Sequence, residues 1–296
     1  MNAVINGILL AGGKGSRLFP MTSAVSKHLL PIYDKPMIYY PLTTLMLAGV
    51  TKVWLVCDSS QVDLFQRLLG DGKALGISIE YAVQEAPLGI VDAFSSVPTS
   101  QQQGPVWLAL GDNLFFGSGL GPSLAANNSA RGASIFLKEV KNPQDFGVAQ
   151  VENEKIVALQ EKPKEPQGPF CITGLYRFDE TVWSRYRTIE LSERGELEIT
   201  DLLSLFLSDD SLSHTVLGRG TYWLDTGTAI SMAKASAFVE SVQSNSGDIV
   251  GSPHEAALRM GLIGTSEFQS ISAEAPESTY GDSLRILAAS LNQHYA

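Results

Sequence analysis

An abrupt change from an apolar run to a glycine-rich run near the N-terminus constrains this chain more than any other feature. The apolar residues Ile8–Ala11 lead directly into the sequence GGKGSR at positions 12–17. This change is typical of a buried strand that feeds a tight loop, because glycine lets backbone N–H groups curl closely around a ligand. Backbone N–H groups with a lysine and an arginine nearby suit a polyphosphate. We therefore predict a phosphate-binding loop at 12–17.

Two common phosphate-binding motifs are absent from this loop. A P-loop would read G-x-x-x-x-G-K-[ST], and no such string begins here. A dinucleotide fingerprint would read G-x-G-x-x-G, and Leu18 stands where its last glycine is required. A glycine-rich turn taken alone is equally typical of an ordinary strand–helix connection. The interpretation of the loop therefore depends on the rest of the chain.

Composition limits the kind of ligand. The 296 residues include 21 basic and 31 acidic side chains, a net charge of −10. This balance argues against a nucleic-acid-binding protein, whereas a few cations in one cleft are enough for an anionic small molecule. No apolar run approaches the roughly 18–20 residues of a membrane helix, and the N-terminus lacks a basic signal-peptide region. Cys57 and Cys171 lie in apolar runs, so we expect buried reduced thiols and a cytoplasmic enzyme.

Short apolar strands alternate with helical stretches in the first half of the chain. This alternation predicts an α/β fold with a Rossmann-like, mostly parallel (mixed) central sheet and helices on both faces. Ligands of such sheets bind at the carboxyl ends of the strands, where the glycine loop also lies. The predicted strands are 5–11, 53–57, 78–83, 106–111, 133–140 and 170–178, and the predicted helices are 37–49, 61–69, 90–97 and 202–207, the last capped by Thr200 or Asp201.

Further strings extend the glycine loop into a longer signature. The sequence RLFP at 17–20 is followed by SKHLLP at 26–31 and by Lys35-Pro36. Together they resemble the signature of the sugar-phosphate nucleotidyltransferases, G-G-x-G-[ST]-R-L-x-P, [SP]-K-x-L-x-P and K-P. The strings YDKPMIYYPL, LLGDG, RGELEITD and WLDTGT are similar to the short-type glucose-1-phosphate thymidylyltransferases, and the resemblance covers about residues 5–262.

The resemblance implies an enzyme that forms dTDP-glucose and pyrophosphate from dTTP and α-D-glucose 1-phosphate, by in-line displacement with Mg²⁺. It implies a cytoplasmic homotetramer, or dimer of dimers, whose partners are these small molecules and neither nucleic acid nor membrane. It also implies a nucleotidyltransferase core at 1–240, divided into a nucleotide half at about 1–112 and a sugar-phosphate half at about 113–240. A C-terminal extension at 241–296 would carry helices at 254–262, 267–273 and 283–293.

By the same resemblance, residues from both halves line one active site. Arg17, Lys27 and Lys162 would be catalytic, and Asp112 and Asp225 would hold the metal. Gln84 could offer both a donor and an acceptor to a pyrimidine. The nucleotide-binding residues would be Leu10, Ala11, Gly12, Gly13, Gly15, Ser16, Arg17, His28, Gln84, Pro87, Gly89 and Asp112, and the sugar-phosphate-binding residues would be Asn113, Gly147, Glu161, Lys162, Ile172 and Thr173.

Seven positions depart from the family pattern. His28 and Asp92 replace glutamines. The other replacements are Leu88 for an aspartate, Ile90 for a leucine, Val91 for an alanine, Gln160 for an acid and Phe146 for a tyrosine. The replacements at His28 and Asp92 predict a His–Asp pair at the nucleotide pocket, with neutral drift as the alternative. Together the departures keep open another pyrimidine nucleotide, another sugar 1-phosphate, or a catalytically weak paralogue that holds sugar nucleotides for regulation.

Two arginines lie outside the predicted active site. Arg219 in GRG and Arg259 in SPHEAALRM resemble parts of the family's secondary, regulatory nucleotide site. Such residues are more typical of a charged surface, and this alternative stays open. The tail contains no hexapeptide repeat, so no β-helix domain is predicted.

Overall fold

The structure, a computed structural model, describes residues 4–86 and 88–291. Within this part of the chain, no helix is both long and apolar enough to cross a membrane. The strands are β1 Asn6–Leu10, β2 Pro31–Ile32, β3 Lys35–Pro36, β4 Lys52–Cys57, β5 Ser78–Val83, β6 Val106–Leu110, β7 Asn113–Phe116, β8 Ala133–Glu139, β9 Gly147–Glu152, β10 Lys155–Glu161, β11 Phe170–Phe178, β12 Leu212–Val216 and β13 Tyr222–Asp225. The α-helices are α1 Tyr39–Leu47, α2 Val62–Leu69, α3 Leu120–Ala125, α4 Val182–Arg185, α5 Ile199–Ser208, α6 Ala229–Ser246, α7 Pro253–Arg259, α8 Thr265–Glu274 and α9 Thr279–Leu291.

Among the described residues, a nine-stranded mixed sheet forms the centre of the molecule. Its strands run in the order β10-β9-β11-β6-β1-β4-β5, and β8 links β11 to β12. Strands β6, β1, β4 and β5 are parallel, whereas β11 is antiparallel to β6. Small antiparallel sheets join β13 to β7 and β2 to β3. The predicted mixed α/β sheet is confirmed, while the division into a nucleotide half and a sugar-phosphate half stays a prediction.

The central strands are apolar at almost every position because helices cover both faces of the sheet. Successive side chains of β1 point to opposite faces. Leu9 packs in the cluster that contains Leu55 and the C-terminal helices, and Ile8 packs with Trp54 and α5 on the other face. Both β1 side chains are fully buried, and each such burial contributes on the order of 1.5–3 kcal/mol. This packing holds the strand that presents the glycine loop.

The predicted helix at 90–97 is wrong in its length. The segment forms only a 3₁₀ turn at Val91–Phe94. The Ser95 hydroxyl and the Ser95 backbone N–H both donate to the Asp92 carbonyl, which closes the turn. Pro98 further disfavours a helical conformation at the residue before it.

The predicted cap of α5 is also wrong. The helix begins at Ile199, so Thr200 and Asp201 lie in its first turn, and no side-chain hydrogen bond caps it at Glu198. The Thr200 hydroxyl instead donates to Glu161 Oε2 at 3.3 Å. The other predicted elements are confirmed to within a few residues, except that positions 292–293 of the last predicted helix lie outside the described residues. Cys57 and Cys171 are buried and free.

A buried ion pair connects the β2–β3 hairpin to the C-terminal helices. Lys35 Nζ lies 2.5 Å from Asp34 Oδ1, with the two side chains 1% and 3% exposed. The same Nζ donates to Gln243 Oε1 at the end of α6. It also lies 5.2 Å from the Tyr40 ring centroid and 5.4 Å from the Tyr280 ring centroid on α9. One ammonium group therefore joins the hairpin, α1, α6 and α9.

We expect Lys35→Ala to destabilise the fold by about 3–5 kcal/mol, because it leaves the buried Asp34 carboxylate without its charge partner. Urea unfolding measures this change. Lys73→Ala is the matched control, since the Lys73–Asp71 pair has side chains 86% and 60% exposed and should have little effect on the free energy of unfolding. Equal effects of the two substitutions would contradict the role given to Lys35.

Candidate active site

The glycine loop leaves β1 at the carboxyl edge of the parallel strands. Ala11 N donates to Val56 O on β4, which fixes the start of the loop. Gly13 has φ +97° and Gly15 has φ +58°, a region that favours glycine. Gly15 also lies tightly against Thr22, whose hydroxyl donates to the Gly15 carbonyl. The loop is thus held in a conformation that bulkier residues would disrupt.

A second loop brings Lys27 to the end of β6. Ser26 begins the 3₁₀ turn Lys27–Leu29, and its hydroxyl accepts from His28 N. Lys27 Nζ lies 2.5 Å from Asp112 Oδ2, which directly follows β6 and Gly111. Both side chains are largely buried, so the pair is shielded from water.

His28 lies beneath the glycine loop, and its side chain is almost completely buried. A Cβ placed on Gly111 would lie 2.6 Å from the His28 ring, which also hydrogen-bonds the Ala11 backbone. The other ring nitrogen, Nδ1, lies 3.0 Å from the Ser26 hydroxyl. Burial and the neighbouring Lys27 charge lower the pKa of His28 to about 3. The ring is therefore neutral, and it packs between the glycine loop and the loop that carries Lys27. The predicted contact of His28 with the nucleotide stays a prediction.

The predicted His28–Asp92 pair does not form. In the part of the chain that the structure describes, no hydrogen bond joins the two side chains. The Asp92 carboxylate accepts hydrogen bonds from Gln84 and Ser95 instead. The reason is that His28 is enclosed under the glycine loop, whereas Asp92 faces the end of β5.

Asp225 and Arg17 complete a cluster of four charged side chains. β13 pairs with β7 so that Asp225 lies opposite Asn113, the residue after Asp112. Thr226 N and its hydroxyl both donate to the Asp112 carbonyl, at 2.9 and 2.7 Å. A Cβ placed on Gly227 would lie 2.8 Å from Arg17 Nη2 and 3.3 Å from both Asp225 carboxylate oxygens. Gly227 therefore leaves room for the arginine beside the carboxylate.

The two carboxylates respond differently to their surroundings. Burial alone would raise the pKa of Asp112, but the Lys27 charge and hydrogen bonds from Lys27 and Asn113 lower this pKa to about 2. Burial and the Asp112 charge raise the pKa of Asp225 to about 6, despite the opposing effect of Arg17. Asp225 is thus a carboxylate that lacks sufficient positive charge around it.

This donor set fits a hard divalent cation, because Mg²⁺ binds through one or two carboxylates and completes its shell with water and phosphate oxygens. Among the described residues, no group of three or more histidine, cysteine, aspartate or glutamate side chains could hold a metal by itself. A cation here would therefore rest on Asp112 and Asp225 together with ligands from the substrate.

A third group of residues surrounds Glu161 at the end of β10. A Cβ placed on Gly147 would lie 3.4 Å from Ile172 and Thr200 and 3.5 Å from Glu161 Oε2. Arg194 Nη1 lies 3.4 Å from Glu161 Oε1, and burial raises the pKa of Glu161. Lys162 has φ +40° and a half-exposed side chain, with its Nζ 3.6 Å from Glu161. These residues form an open, mixed-charge wall.

Asn113 connects this wall to the charged cluster. Its Nδ2 donates to Asp112 Oδ1 at 2.9 Å, and its Oδ1 accepts from Trp223 Nε1 at 2.5 Å. The Phe146 ring packs edge-on against Trp223, with centroids 4.9 Å apart. Thr173, by contrast, is fully buried and donates its hydroxyl to the Phe136 carbonyl inside the sheet. Its side chain therefore already has a structural partner.

The loop after β5 contacts the strand end and the segment before α5. Gln84 is 8% exposed, and its Oε1 would lie 2.7 Å from a Cβ placed on Gly12. Leu197 N donates to Leu88 O at 2.6 Å, and the Leu197 backbone would clash with any side chain at Gly89, where φ is +108°. Pro87 lies outside the described residues. The loop after β5 and the segment before α5 therefore contact each other through their backbones, beside the glycine loop.

Comparison with known proteins agrees with this arrangement. The family model for nucleotidyl transferases matches residues 6–242. The chain belongs to the nucleotidyl transferase family. Glucose-1-phosphate thymidylyltransferase of Mycolicibacterium smegmatis is 43% identical over 278 residues, which are 94% of this chain and 96% of the relative. The enzyme of that name from Neisseria meningitidis is 43% identical over 282 residues, covering 95% and 98%.

Solved structures of other proteins share the fold. A Bacillus anthracis relative, solved in complex with sucrose, is 35% identical with a TM-score of 0.73, over 79% of this chain and 95% of the other. A UDP-glucose pyrophosphorylase solved with UDP-glucose has a TM-score of 0.71 over 81% and 99%, and at 19% identity it supports the fold alone. This chain, with the central sheet described above, therefore has the nucleotidyl transferase fold.

Sequence reasoning did not include Arg194 and Trp223 among the site residues. Arg194 reaches the Glu161 wall, and Trp223 bonds Asn113. Both stand in strings, RGELEITD and WLDTGT, that resemble the family closely. That similarity was a signal that could have identified them, since a string shared residue for residue is typical of a site.

A separate cavity of about 590 Å³ lies between α1, β7 and α7. Arg259 lines it and pairs with Glu255 at 2.6 Å, and Gly220, the neighbour of Arg219, lines it as well. The structure thus brings the region of the two predicted regulatory arginines to one cavity. Their regulatory role stays a prediction.

Proposed function

We propose that this enzyme transfers a thymidylyl group from dTTP to α-D-glucose 1-phosphate, forming dTDP-glucose and pyrophosphate. The proposal is supported by relatives of that name at 43% identity across nearly the whole chain. The observation that carries it is the meeting of Arg17, Lys27, Asp112 and Asp225 at the carboxyl ends of the strands, beside the glycine loop. Two cations and two carboxylates at one place suit the alignment of two phosphorylated substrates.

The chemistry requires alignment and charge neutralisation more than proton transfer. An oxygen of the sugar phosphate, already an anion at neutral pH, attacks the α-phosphorus. The bond from that phosphorus to the α,β-bridging oxygen breaks, and pyrophosphate leaves with the electron pair. No general base is required, which agrees with the neutral, enclosed His28.

Each charged residue has a place in this step. The backbone N–H groups of the glycine loop hold the triphosphate, and Arg17 neutralises the leaving pyrophosphate. Lys27, kept in position by Asp112, and Lys162 bring the sugar phosphate in line with the α-phosphorus. Asp112 and Asp225 would hold Mg²⁺, which when bound supplies further neutralisation of phosphate charge.

The residues on either side of the charged cluster would select the nucleotide and the sugar. Gln84 and the backbone of Gly89 face the base, and Glu161, Asn113 and Gly147 face the sugar. A different pyrimidine nucleotide or sugar 1-phosphate would be selected at these positions. We also propose that the enzyme is a cytoplasmic homotetramer and that Arg219 and Arg259 bind a regulatory nucleotide at the cavity near α7.

Pyrophosphate release tests the proposal directly. With Mg²⁺, dTTP and glucose 1-phosphate, we expect continuous release with saturation in both substrates, and none when either is omitted. Galactose 1-phosphate and UTP, supplied in turn, measure the preference for sugar and nucleotide. Binding of dTDP-glucose without any pyrophosphate release would favour the catalytically weak regulatory paralogue instead.

A further inference from the structure

Asp92 is the partner that fixes the side chain of Gln84. Gln84 Nε2 donates to Asp92 Oδ2 at 2.8 Å and approaches the Gly89 carbonyl at 3.4 Å. Asp92 in turn is held by Ser95, whose hydroxyl donates to Asp92 Oδ1 at 2.9 Å and to the Asp92 carbonyl at 2.7 Å. The carboxylate is thus anchored within its own 3₁₀ turn, and it holds the amide of the preceding strand end.

The chemistry of the pair sets which way the amide faces. An ionised carboxylate accepts hydrogen bonds and cannot donate them, so the NH₂ group of Gln84 must point to Asp92. The amide oxygen then points the other way, toward Gly12 in the glycine loop. Among the described residues, Gln84 forms side-chain hydrogen bonds through Nε2, and none is formed to this oxygen. Gln84 therefore presents a free acceptor, with its donors already used.

We propose that Asp92 is a positioning residue that makes this enzyme select bases with an N–H at ring position 3. The inference rests on the proposed function, which places the base of the nucleotide against Gln84. Thymine and uracil carry a hydrogen at N3 and can donate it to the Gln84 oxygen. Cytosine has an unprotonated N3 with a lone pair, which would face that oxygen and repel it. A site built to receive one hydrogen bond rejects an analogue that cannot make it.

The cleanest comparison is dUTP against dCTP, because the two share the same sugar and triphosphate and differ only at the N3–C4 edge of the base. The quantity measured is the ratio of kcat/KM for dUTP to that for dCTP, with glucose 1-phosphate as acceptor. We expect Asp92→Asn to lower this ratio by about tenfold or more. An asparagine amide can accept from Gln84 or donate to it, so both orientations of Gln84 become available.

Ser95→Ala is the matched control. It removes one hydrogen bond to the Asp92 carboxylate but leaves the contact with Gln84, so the ratio should stay within about twofold of wild type. Gln84→Met is a second test that does not depend on the folding of an Asp92 variant. It removes the acceptor oxygen itself and should also lower the ratio of kcat/KM for dUTP to that for dCTP. Thermal unfolding of each variant shows that the fold is kept.

The outcomes separate the inference from the function on which it rests. A wild-type enzyme that releases no pyrophosphate from dTTP and glucose 1-phosphate would overturn the proposed function. An active wild type whose ratio is unchanged in Asp92→Asn, even if both substrates slow equally, would overturn the role of Asp92 alone. A wild-type ratio near one would overturn it as well.

Discussion

Replacing Arg17 with alanine should lower kcat by a factor of about 10³ or more, while the affinity for dTTP falls by less than about tenfold. The guanidinium group stands beside Gly227 and Asp225, in the charged cluster that also contains Lys27. In the proposed reaction, negative charge grows on the departing pyrophosphate as the bond to the α-phosphorus breaks. A cation that meets charge developing in the transition state affects turnover more than ground-state binding.

The measurement needs affinity and turnover separately, because KM equals the dissociation constant only when chemistry is slow. Equilibrium titration with dTTP gives the affinity, and pyrophosphate release gives kcat. Arg67→Ala is the matched control, since Arg67 is an exposed arginine at the end of α2. A kcat close to wild type in Arg17→Ala would remove this residue from the leaving-group role, and a loss of dTTP affinity with kcat unchanged would place it in substrate binding.

The parts of this site that follow from local sequence could be predicted. The apolar run before GGKGSR predicts β1 and its loop, because strand burial and glycine conformation act over a few residues. Asp112 was predicted for a similar reason, as an acid at the end of an apolar strand. Its approach to Asp225 was implied only by family resemblance, and in the structure it depends on the pairing of β13 with β7.

The parts that depend on long-range packing could not be predicted. His28 follows the phosphate lysine, and its predicted contact with the nucleotide stays a prediction. Nothing in the local sequence indicates that its ring lies against Gly111 and Ala11. Asp92 was expected to pair with it, yet the partner is Gln84 across the short turn. The sandwich of Lys35 between Tyr40 and Tyr280 joins residues 245 positions apart (280 minus 35), and no local pattern carries that information.

Replacing Asp225 with asparagine should stabilise the metal-free enzyme while it removes the response to Mg²⁺. The folded-state pKa of Asp225 is raised to about 6 by burial and by the Asp112 charge, above its ordinary value of 3.8. Well below pH 3.8 the carboxyl is neutral in both folded and unfolded chains, so it has little effect on stability. As the pH rises through 6, the folded protein must carry two repelling carboxylates, and stability is lost relative to the asparagine variant.

We therefore expect the free energy of unfolding of Asp225→Asn to exceed that of wild type by an amount on the order of 1–3 kcal/mol at pH 8, and this difference to shrink as the pH falls from 6 toward 3.8. Adding Mg²⁺ at pH 8 should stabilise wild type and leave the variant unchanged, because a ligand stabilises only the state that binds it. Asp210→Asn is the matched control: Asp210 is exposed, and its φ of +50° suits asparagine equally. An Mg²⁺ titration of stability and of pyrophosphate release that is the same in Asp225→Asn and wild type would exclude Asp225 from the metal site.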